Sequence, residues 1–296
     1  MMRLHEAEVV DTFAEAFAMW GARIVVTADS PEWAEHAARS LTGFATSVIG
    51  CKCEAGLERT LDAAQTRDGR PGVSVLLFAP DADGLAKRLV ERVGQTVLTC
   101  PTTACFNGLD AEREVDVGGQ LRYFGDGWQA SKVLDGRRYW RIPVMEGEFL
   151  VEERFGIVEG VGGGNLIMLA EDVGTALRAA EAAAEAMRAV EGVIMPFPGG
   201  IARSGSKVGS RYKAVIASTN HVLCPTLRAQ VGDSQVPEGV NSVFEIVIDG
   251  LAPEPVREAM RVGLDAAARA GALRVTAGNY GGSLGQHHFP LRELVP

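Results

Sequence analysis

Two stretches of seventeen residues, A-R-I-V-V-T-A-D-S-P-E-W-A-E-H-A-A (22–38) and G-N-L-I-M-L-A-E-D-V-G-T-A-L-R-A-A (164–180), look like degenerate copies of each other. Each copy places an apolar run before a residue that can cap a helix, Ser30 or Asp172. An alanine-rich amphipathic segment follows in both copies. A strand leading into a helix is therefore predicted once in each half, which favours a tandem duplication.

The surrounding sequence extends this pattern to two β-α-β units in each half. The first half predicts helices at 31–41 and 81–93, with strands at 23–27, 47–51, 73–78 and 95–100. The second half predicts helices at 172–191 and 253–270, with strands at 165–169, 193–197, 242–248 and 273–277. A further short helix is predicted at 10–20.

Two β-α-β units form a split βαβ, or ferredoxin-like, sandwich. The predicted fold class is therefore α+β, a tandem duplication of ferredoxin-like sandwiches in two lobes. The N-terminal lobe is predicted over 1–150, with antiparallel strands inserted between 115 and 156. The C-terminal lobe is predicted over 151–296.

Composition limits the possible functions and partners of the chain. A net charge of −9 disfavours a general nucleic-acid-binding protein. No apolar run reaches the roughly 18 residues that cross a bilayer, and the N-terminus lacks a signal-peptide core, so we expect a cytoplasmic protein without membrane contact. The five cysteines and five histidines show neither disulfide-framework nor metal-ligand spacing, so no metal site is expected.

The stretch P-F-P-G-G-I-A-R-S-G-S-K-V-G-S-R-Y-K-A-V-I-A-S-T-N (196–220) combines glycines, serines and four cations. Glycine lets the backbone approach a ligand closely, and backbone N–H groups with cations form anion-binding concavities. A second glycine-rich loop, 278–283, follows the last strand and could converge on the same site. A long surface turn with solvated charges is the alternative. The candidate substrate-binding residues are Arg203, Ser206, Lys207, Ser210, Arg211, Lys213, Thr219, Asn220, Asn279 and Tyr280.

Glu245 is the candidate catalytic residue. It lies in the strand V-F-E-I-V-I, where alternation places it on one face with Val243 and Val247. Desolvation would raise its pKa and keep it protonated, and a neutral carboxylic acid can donate a hydrogen bond to developing negative charge. An edge-strand glutamate paired with an arginine is an equally open alternative.

Three common enzyme motifs are absent or misplaced. Gly200–Gly205 begins like a phosphate-binding loop, but Ser206 precedes Lys207, the reverse of the required order. The glycines of 160–165 come immediately before a predicted strand, whereas a dinucleotide fingerprint requires them after one. The serines of the stretch 203–210 lack the strand–elbow–helix context of a serine nucleophile. Nucleotide-dependent and serine-hydrolase chemistry are therefore disfavoured.

Nine sequence blocks resemble the formylmethanofuran:tetrahydromethanopterin N-formyltransferase family, and the resemblance extends from Val9 to Leu294. The blocks are D-T-F-A-E-A-F (11–17), G-R-P-G (69–72), L-T-C-P-T-T-A (98–104), F-G-D-G (124–127), P-F-P-G-G-I-A-R-S-G-S-K-V-G-S (196–210), A-S-T-N (217–220), C-P-T-L (224–227), E-I-V-I-D-G (245–250) and A-G-N-Y-G-G (277–282).

The resemblance implies formyl transfer between the amine of methanofuran and N5 of tetrahydromethanopterin, without a prosthetic group or metal. It implies two ferredoxin-like lobes, a homodimer or homotetramer, and a cleft at the subunit interface. The glutamate proposed to assist catalysis in the family falls on Glu245.

The modest net charge resembles the bacterial branch of the family. There the enzyme is a subunit of a formyltransferase/hydrolase complex that uses dephospho-tetrahydromethanopterin and a methanofuran analogue during formaldehyde oxidation to formate. A metal-dependent partner subunit would release formate. The alternative function is a non-catalytic structural subunit of such a complex.

Overall fold

The computed structural model describes residues 2–295, which form a mixed α/β fold of seventeen strands and six α-helices. The strands are β1 (Met2–Leu4), β2 (Ala7–Val9), β3 (Phe13–Thr27), β4 (Glu54–Leu61), β5 (Gly72–Ala79), β6 (Ala104–Asn107), β7 (Arg113–Asp116), β8 (Ala130–Leu134), β9 (Arg137–Val144), β10 (Gly147–Glu152), β11 (Arg154–Ala170), β12 (Val193–Ile194), β13 (Lys207–Val208), β14 (Ala217–Ser218), β15 (Ser242–Gly250), β16 (Arg274–Thr276) and β17 (His287–Pro290). The helices are α1 (Pro31–Thr42), α2 (Val48–Cys51), α3 (Ala82–Arg92), α4 (Gly118–Leu121), α5 (Val173–Arg188) and α6 (Pro253–Arg269).

Two groups of four strands have the same spatial order. In the first group the order is β6–β3–β5–β4, and every neighbouring pair is antiparallel. In the second group the order is β16–β11–β15–β12, again antiparallel throughout. An inserted meander of β8, β9 and β10 extends the first group through a parallel pairing of β10 with β6.

Helix starts follow the local sequence. The Ser30 side chain accepts a hydrogen bond from the Trp33 amide at 3.3 Å, and Pro31 occupies the first helical position of α1. Asp172 accepts the Thr175 amide at 2.9 Å at the start of α5. Both caps satisfy backbone donors that a helix leaves unpaired, so the predicted starts of these helices are confirmed.

The helices cover one face of each four-stranded group. Helices α1 and α3 pack on the first group, and α5 and α6 pack on each other and on the second. The other face of the second group is covered by the long segment 195–241, through contacts among Ile167, Leu223 and Val240. Because this segment contains little regular structure, it leaves space between itself and the sheet.

The two groups join through the longest strands, β3 and β11. They pair antiparallel where Phe17–Gly21 lies beside Val158–Gly162. The chain termini also cross between groups, because β2 pairs with β16 and β17 pairs with β3. Residues from both halves therefore meet along the start of β3.

The helix predicted over 10–20 is wrong, because this segment opens the fifteen-residue strand β3. Phe13 and Phe17 are spaced like residues on one helical face, which produced the prediction. Hydrogen bonds to β17 and β11, distant in sequence, instead hold the segment extended. Tertiary pairing overrides a local pattern here.

Two predicted strands of the first half are also misplaced. Residues 48–51 form α2, and the strand lies later, at Glu54–Leu61. This strand contains charged side chains, so it does not stand out as an apolar run in the sequence. Residues 93–97 continue α3 as a π-helical turn, and the last strand of the unit is Ala104–Asn107.

Candidate active site

A cavity of about 820 Å³ lies where the two halves of the chain meet. Its walls come from the start of β3, the open face of β11 and β15, the segment 195–241 and the loop after β16. Six of the predicted site residues line it. They are Ser206, Lys207, Asn220, Glu245, Asn279 and Tyr280.

Glu245 occupies the middle of β15. On one side it pairs with Ile167 of β11, and on the other its backbone exchanges two hydrogen bonds of 2.8 and 3.0 Å with Ala202. Val247 lies two residues along the same face and also lines the cavity. The strand register thus aims Glu245 into the space under the segment 195–241, as the alternating sequence predicted.

No side chain or backbone donor among residues 2–295 reaches the Glu245 carboxyl within hydrogen-bonding distance. Burial in these apolar surroundings raises the pKa of Glu245 to about 7. A substantial fraction of the carboxyl is therefore protonated near neutral pH and can donate a hydrogen bond or a proton.

A second cavity of about 480 Å³ is also lined by Glu245. Arg203, Asn220 and Cys224 line it together with Val243. Because Glu245 and Asn220 belong to the walls of both cavities, a molecule in either cavity would lie beside the same carboxyl.

Another glutamate, Glu15 on β3, faces the larger cavity in a very different environment. Its carboxylate accepts four backbone N–H bonds, of 2.6 Å from Tyr280, 2.9 Å from Gly282, 2.7 Å from Leu284 and 2.6 Å from Gly285. Burial alone would raise the pKa of Glu15, but these four donors outweigh it and lower the pKa to about 2. Glu15 is therefore ionised.

Sequence comparisons match both halves of the chain. Residues 2–144 match the family described as formylmethanofuran-tetrahydromethanopterin formyltransferase, and residues 147–294 match its proximal lobe. A formylmethanofuran–tetrahydromethanopterin formyltransferase of Methylococcus capsulatus is 56% identical, covering 99% of this chain and 100% of that protein.

Two solved structures share the fold. The formyltransferase/hydrolase complex (FhcABCD) of Methylorubrum extorquens, determined with methylofuran, contains a chain with a TM-score of 0.97 at 51% identity, covering 100% of this chain and 99% of that one. The formylmethanofuran:tetrahydromethanopterin formyltransferase of Methanosarcina barkeri gives 0.94 at 46% identity, covering 99% and 100%.

The chain belongs to the formylmethanofuran–tetrahydromethanopterin formyltransferase family. Its mixed α/β fold matches the solved formyltransferases, and the family resemblance read from the nine sequence blocks is confirmed. None of the helices in residues 2–295 has the length and apolar character that crossing a membrane requires. In the same part of the chain, His, Cys, Asp and Glu side chains form no group of three suited to a metal ion.

Of the predicted site residues of this formyltransferase-family chain, Arg203 lines only the smaller cavity and four others line neither cavity. They belong to the β13–β14 hairpin and its flank: Ser210, Arg211 and Thr219 line a separate depression of about 450 Å³, and Lys213 lies exposed at the tip. Lys207 lines both this depression and the larger cavity. Of the four loop cations, Lys207 is the one found among the residues lining the larger cavity.

Sequence reasoning missed Glu15, although a signal was present. Glu15 alternates with Phe13 and Phe17 on a strand, the same arrangement that made Glu245 conspicuous between two valines. Because the segment was predicted to be a helix, the alternation of its side chains every two residues was not recognised.

Sequence reasoning also missed a pair of buried carboxyls, Glu54 and Asp249. Burial raises the pKa of Glu54, and burial together with the neighbouring Glu54 raises the pKa of Asp249 well above its usual range. Asp249 Oδ1 accepts the Gly163 amide at 3.0 Å, whereas Oδ2 has no donor among the described residues. Two carboxyls can bond here only if one of them carries a proton.

Proposed function

We propose that the chain moves a formyl group between the amine of methanofuran, or an analogue, and N5 of tetrahydromethanopterin or its dephospho form. The observation that carries this proposal is Glu245, a partly buried carboxyl with no hydrogen-bond donor among the described residues and a pKa raised to about 7, at the wall shared by two cavities. Such a group is suited to acid catalysis near neutral pH.

The chemistry uses a protonated Glu245. The attacking amine forms a C–N bond to the formyl carbon, and negative charge develops on the carbonyl oxygen. A hydrogen bond from the neutral carboxyl stabilises that oxygen. When the original C–N bond breaks, Glu245 can give its proton to the leaving nitrogen and regain one from the attacking nitrogen, so protons balance over the reaction.

Two cavities that meet at one carboxyl suit a reaction between two large substrates. In the larger one, Lys207, Asn279 and Tyr280 offer a cation, an amide and a phenol. In the smaller one, Arg203 and Asn220 offer a cation and an amide. We propose these five residues as the main substrate contacts. Ser206 also belongs to the larger cavity, and the outer group of Ser210, Arg211, Lys213 and Thr219 would contact only substrate tails.

We also propose that the fold is a tandem duplication of ferredoxin-like sandwiches, with N-terminal and C-terminal lobes over 1–150 and 151–296. The shared antiparallel order of the two strand groups supports it, as does the position of their helices. Superposing the two groups tests this proposal. Equivalent strands that failed to align together with both helices would reject a duplication.

An assembly is proposed for the working enzyme, either a homodimer or homotetramer or a complex with a metal-dependent hydrolase subunit. Large apolar side chains are exposed on the chain, including Tyr123, Phe124 and Trp128 before β8, and Tyr212 and Ile216 in the hairpin. Surfaces of this kind are typical of protein contacts. Light scattering that showed a fully active monomer would reject the proposed assembly.

One assay tests the catalytic proposal. The purified chain, alone and together with co-expressed complex subunits, is given formyl-tetrahydromethanopterin and either methanofuran or a furfurylamine analogue. We expect formyl transfer that depends on both substrates. A folded, assembled chain that never exchanges the formyl group would contradict the proposal and support a structural subunit.

A further inference from the structure

Glu15 is a buried anion that is held by backbone hydrogen bonds and forms no salt bridge among residues 2–295. Only 1% of its surface is exposed. A buried carboxylate is costly unless it is paired or fully hydrogen-bonded. Here the four amides of the 280–285 loop supply that compensation, so the carboxylate and the loop depend on each other.

The loop is shaped to converge on this carboxylate. Gly282 has a φ of +72°, in the left-handed region, which turns its amide inward. At Gly285 a Cβ would lie 2.5 Å from the Ala16 carbonyl oxygen, so only glycine allows the loop to approach β3 this closely. The glycine-rich loop 278–283 was predicted to converge on the ligand site of the stretch 196–220. Two of its N–H groups, together with those of Leu284 and Gly285, instead bind a side chain of the protein itself.

Further bonds extend the same attachment to the start of the loop. The Asn165 side chain accepts the Gly278 amide at 2.6 Å and donates to the Gly278 carbonyl at 3.2 Å. The Asn279 side chain donates to Thr12 Oγ1 at 3.0 Å. The loop is thereby fixed against β3 and β11 on the side away from solvent.

The attached loop forms one wall of the cavity that Glu245 also lines. Tyr280, whose amide binds Glu15, lines the cavity, and its ring packs against Phe17 with centroids 6.0 Å apart. Burial, with the nearby Glu245 and Glu15 carboxyls, raises the pKa of the Tyr280 phenol. The phenol therefore stays protonated, and it faces the same space as Glu245.

We propose that Glu15 is a positioning residue for formyl transfer, because its carboxylate holds the 278–285 loop so that Asn279 and Tyr280 form the cavity wall facing Glu245. This inference rests on the proposed function of the Glu245 cavity. Glu15 does not touch the reacting atoms. It acts through the backbone of the loop.

The main test is Glu15→Gln in the full chain. Glutamine keeps the shape, but its NH₂ group points a donor at amides that need acceptors. We expect amide exchange at Tyr280, Gly282, Leu284 and Gly285 to accelerate at least about tenfold, and kcat/KM to fall roughly 10- to 100-fold as the wall is misplaced. The pH profile should keep the inflection near 7 that belongs to Glu245.

The matched control is Asp81→Ala, which removes another side-chain acceptor of a backbone amide. Asp81 caps α3 by accepting the Gly84 amide at 2.7 Å and does not line the larger cavity. We expect it to lower Tm without changing KM or kcat. If Glu15→Gln lowers Tm by a similar amount and leaves KM and kcat at wild-type values, Glu15 is only structural and the inference is wrong.

Hydrogen exchange of the wild-type chain tests the proposal even if Glu15→Gln does not fold. The four amides bound to Glu15 should exchange slowly and together, whereas the Ser283 amide, which has no hydrogen-bond partner among the described residues, should exchange fast. Equal exchange at all five would overturn the inference. A wild-type chain inactive in formyl transfer would refute the proposed function instead, and the exchange result would still decide whether Glu15 holds the loop.

Discussion

Two glutamates that face one cavity have pKa values shifted in opposite directions. Glu15 on β3 accepts four backbone N–H bonds and has a pKa lowered to about 2 despite its burial. Glu245 on β15 has no donor among the described residues and a pKa that burial raises to about 7. Glu15 lies near the start of its strand and Glu245 in the middle of its own, each between apolar neighbours on the same face.

The difference shows that burial alone does not decide the charge of a carboxyl. Desolvation disfavours the ionised form in both places. The number of backbone N–H groups that bind the carboxyl determines whether it is ionised. The loop after β16 supplies those donors to Glu15. Around Glu245, the backbone N–H groups of β15 form hydrogen bonds within the sheet. One glutamate is thus a fixed anion and the other an acid that can exchange protons.

The largest effect is expected from removing the neutral acid. Glu245→Ala should lower kcat by about 10²- to 10³-fold, since one oxyanion donor is lost. Glu245→Gln keeps a donor but cannot transfer a proton. If donation alone matters, Gln should be far better than Ala, and if proton transfer matters, both should be poor.

Steady-state kinetics of both variants measure this effect. Glu148→Gln is the control, since it removes an exposed carboxylate paired with Arg141 on the β9–β10 hairpin, away from the cavity. A folded Glu245→Ala enzyme with wild-type turnover would leave Glu245 a purely structural residue.

The protonation of Glu245 should also be visible in stability. Because its folded pKa of about 7 lies above the usual pKa of 4.5 for a free glutamate, the native state holds the extra proton between these values. Stability therefore falls as pH rises through this window, by roughly 3 kcal/mol in total. Glu245→Gln removes this penalty, so its free energy of unfolding should exceed that of wild type at about pH 8 and converge with it near pH 4.5. Urea unfolding across this range measures the difference, and a gap that did not change with pH would contradict it.

Glu15 should show the opposite slope. Its folded pKa of about 2 lies below the free value of 4.5, so its contribution to stability is complete above 4.5 and is lost as pH falls through 2. Glu15→Gln should therefore destabilise the chain by about 2 kcal/mol at neutral pH, since buried donors lose their acceptor. Acid titrations of wild type and variant, followed by circular dichroism, should converge toward low pH. A cost independent of pH would mean that shape, and not charge, holds the loop.

A smaller effect is expected at the cavity cation. Lys207→Ala should raise KM about two- to fivefold with little change in kcat, and added salt should shrink the difference because a partly exposed charge is screened. Lys213→Ala is the matched control, since Lys213 lies exposed outside the cavity. Equal effects of the two substitutions would show that general attraction by the loop, and not a contact in the cavity, is responsible.

The smallest effect is expected at the paired carboxyls. Because burial and the neighbouring Glu54 raise the pKa of Asp249 and favour its protonated form, Asp249→Asn supplies a similar donor and acceptor and should change the free energy of unfolding by less than about 1 kcal/mol. Asp249→Ala leaves the Gly163 amide without its acceptor and should cost clearly more. Equal losses in thermal unfolding would show that the carboxyl pair is not bonded through a proton.

The sequence by itself determined the elements whose signals are local. The starts of α1 and α5 were predicted from their caps, and the face of Glu245 from alternation along β15, because capping and strand period depend on residues a few positions apart. The nine family blocks also identified the family before any coordinates. The duplicated arrangement in two lobes and the roles of the site residues were predicted in the same way and stay predictions.

Only the tertiary structure decided the environment of each cavity residue. Glu15 obtains its four donors from residues 265 to 270 positions away, and β3 is a strand because β11 and β17 pair with it. The same long-range packing brings Lys207 to the cavity and leaves Lys213 outside. The pKa of a carboxyl depends on the groups that surround it in space, and for Glu15 those groups are supplied by residues far away along the chain.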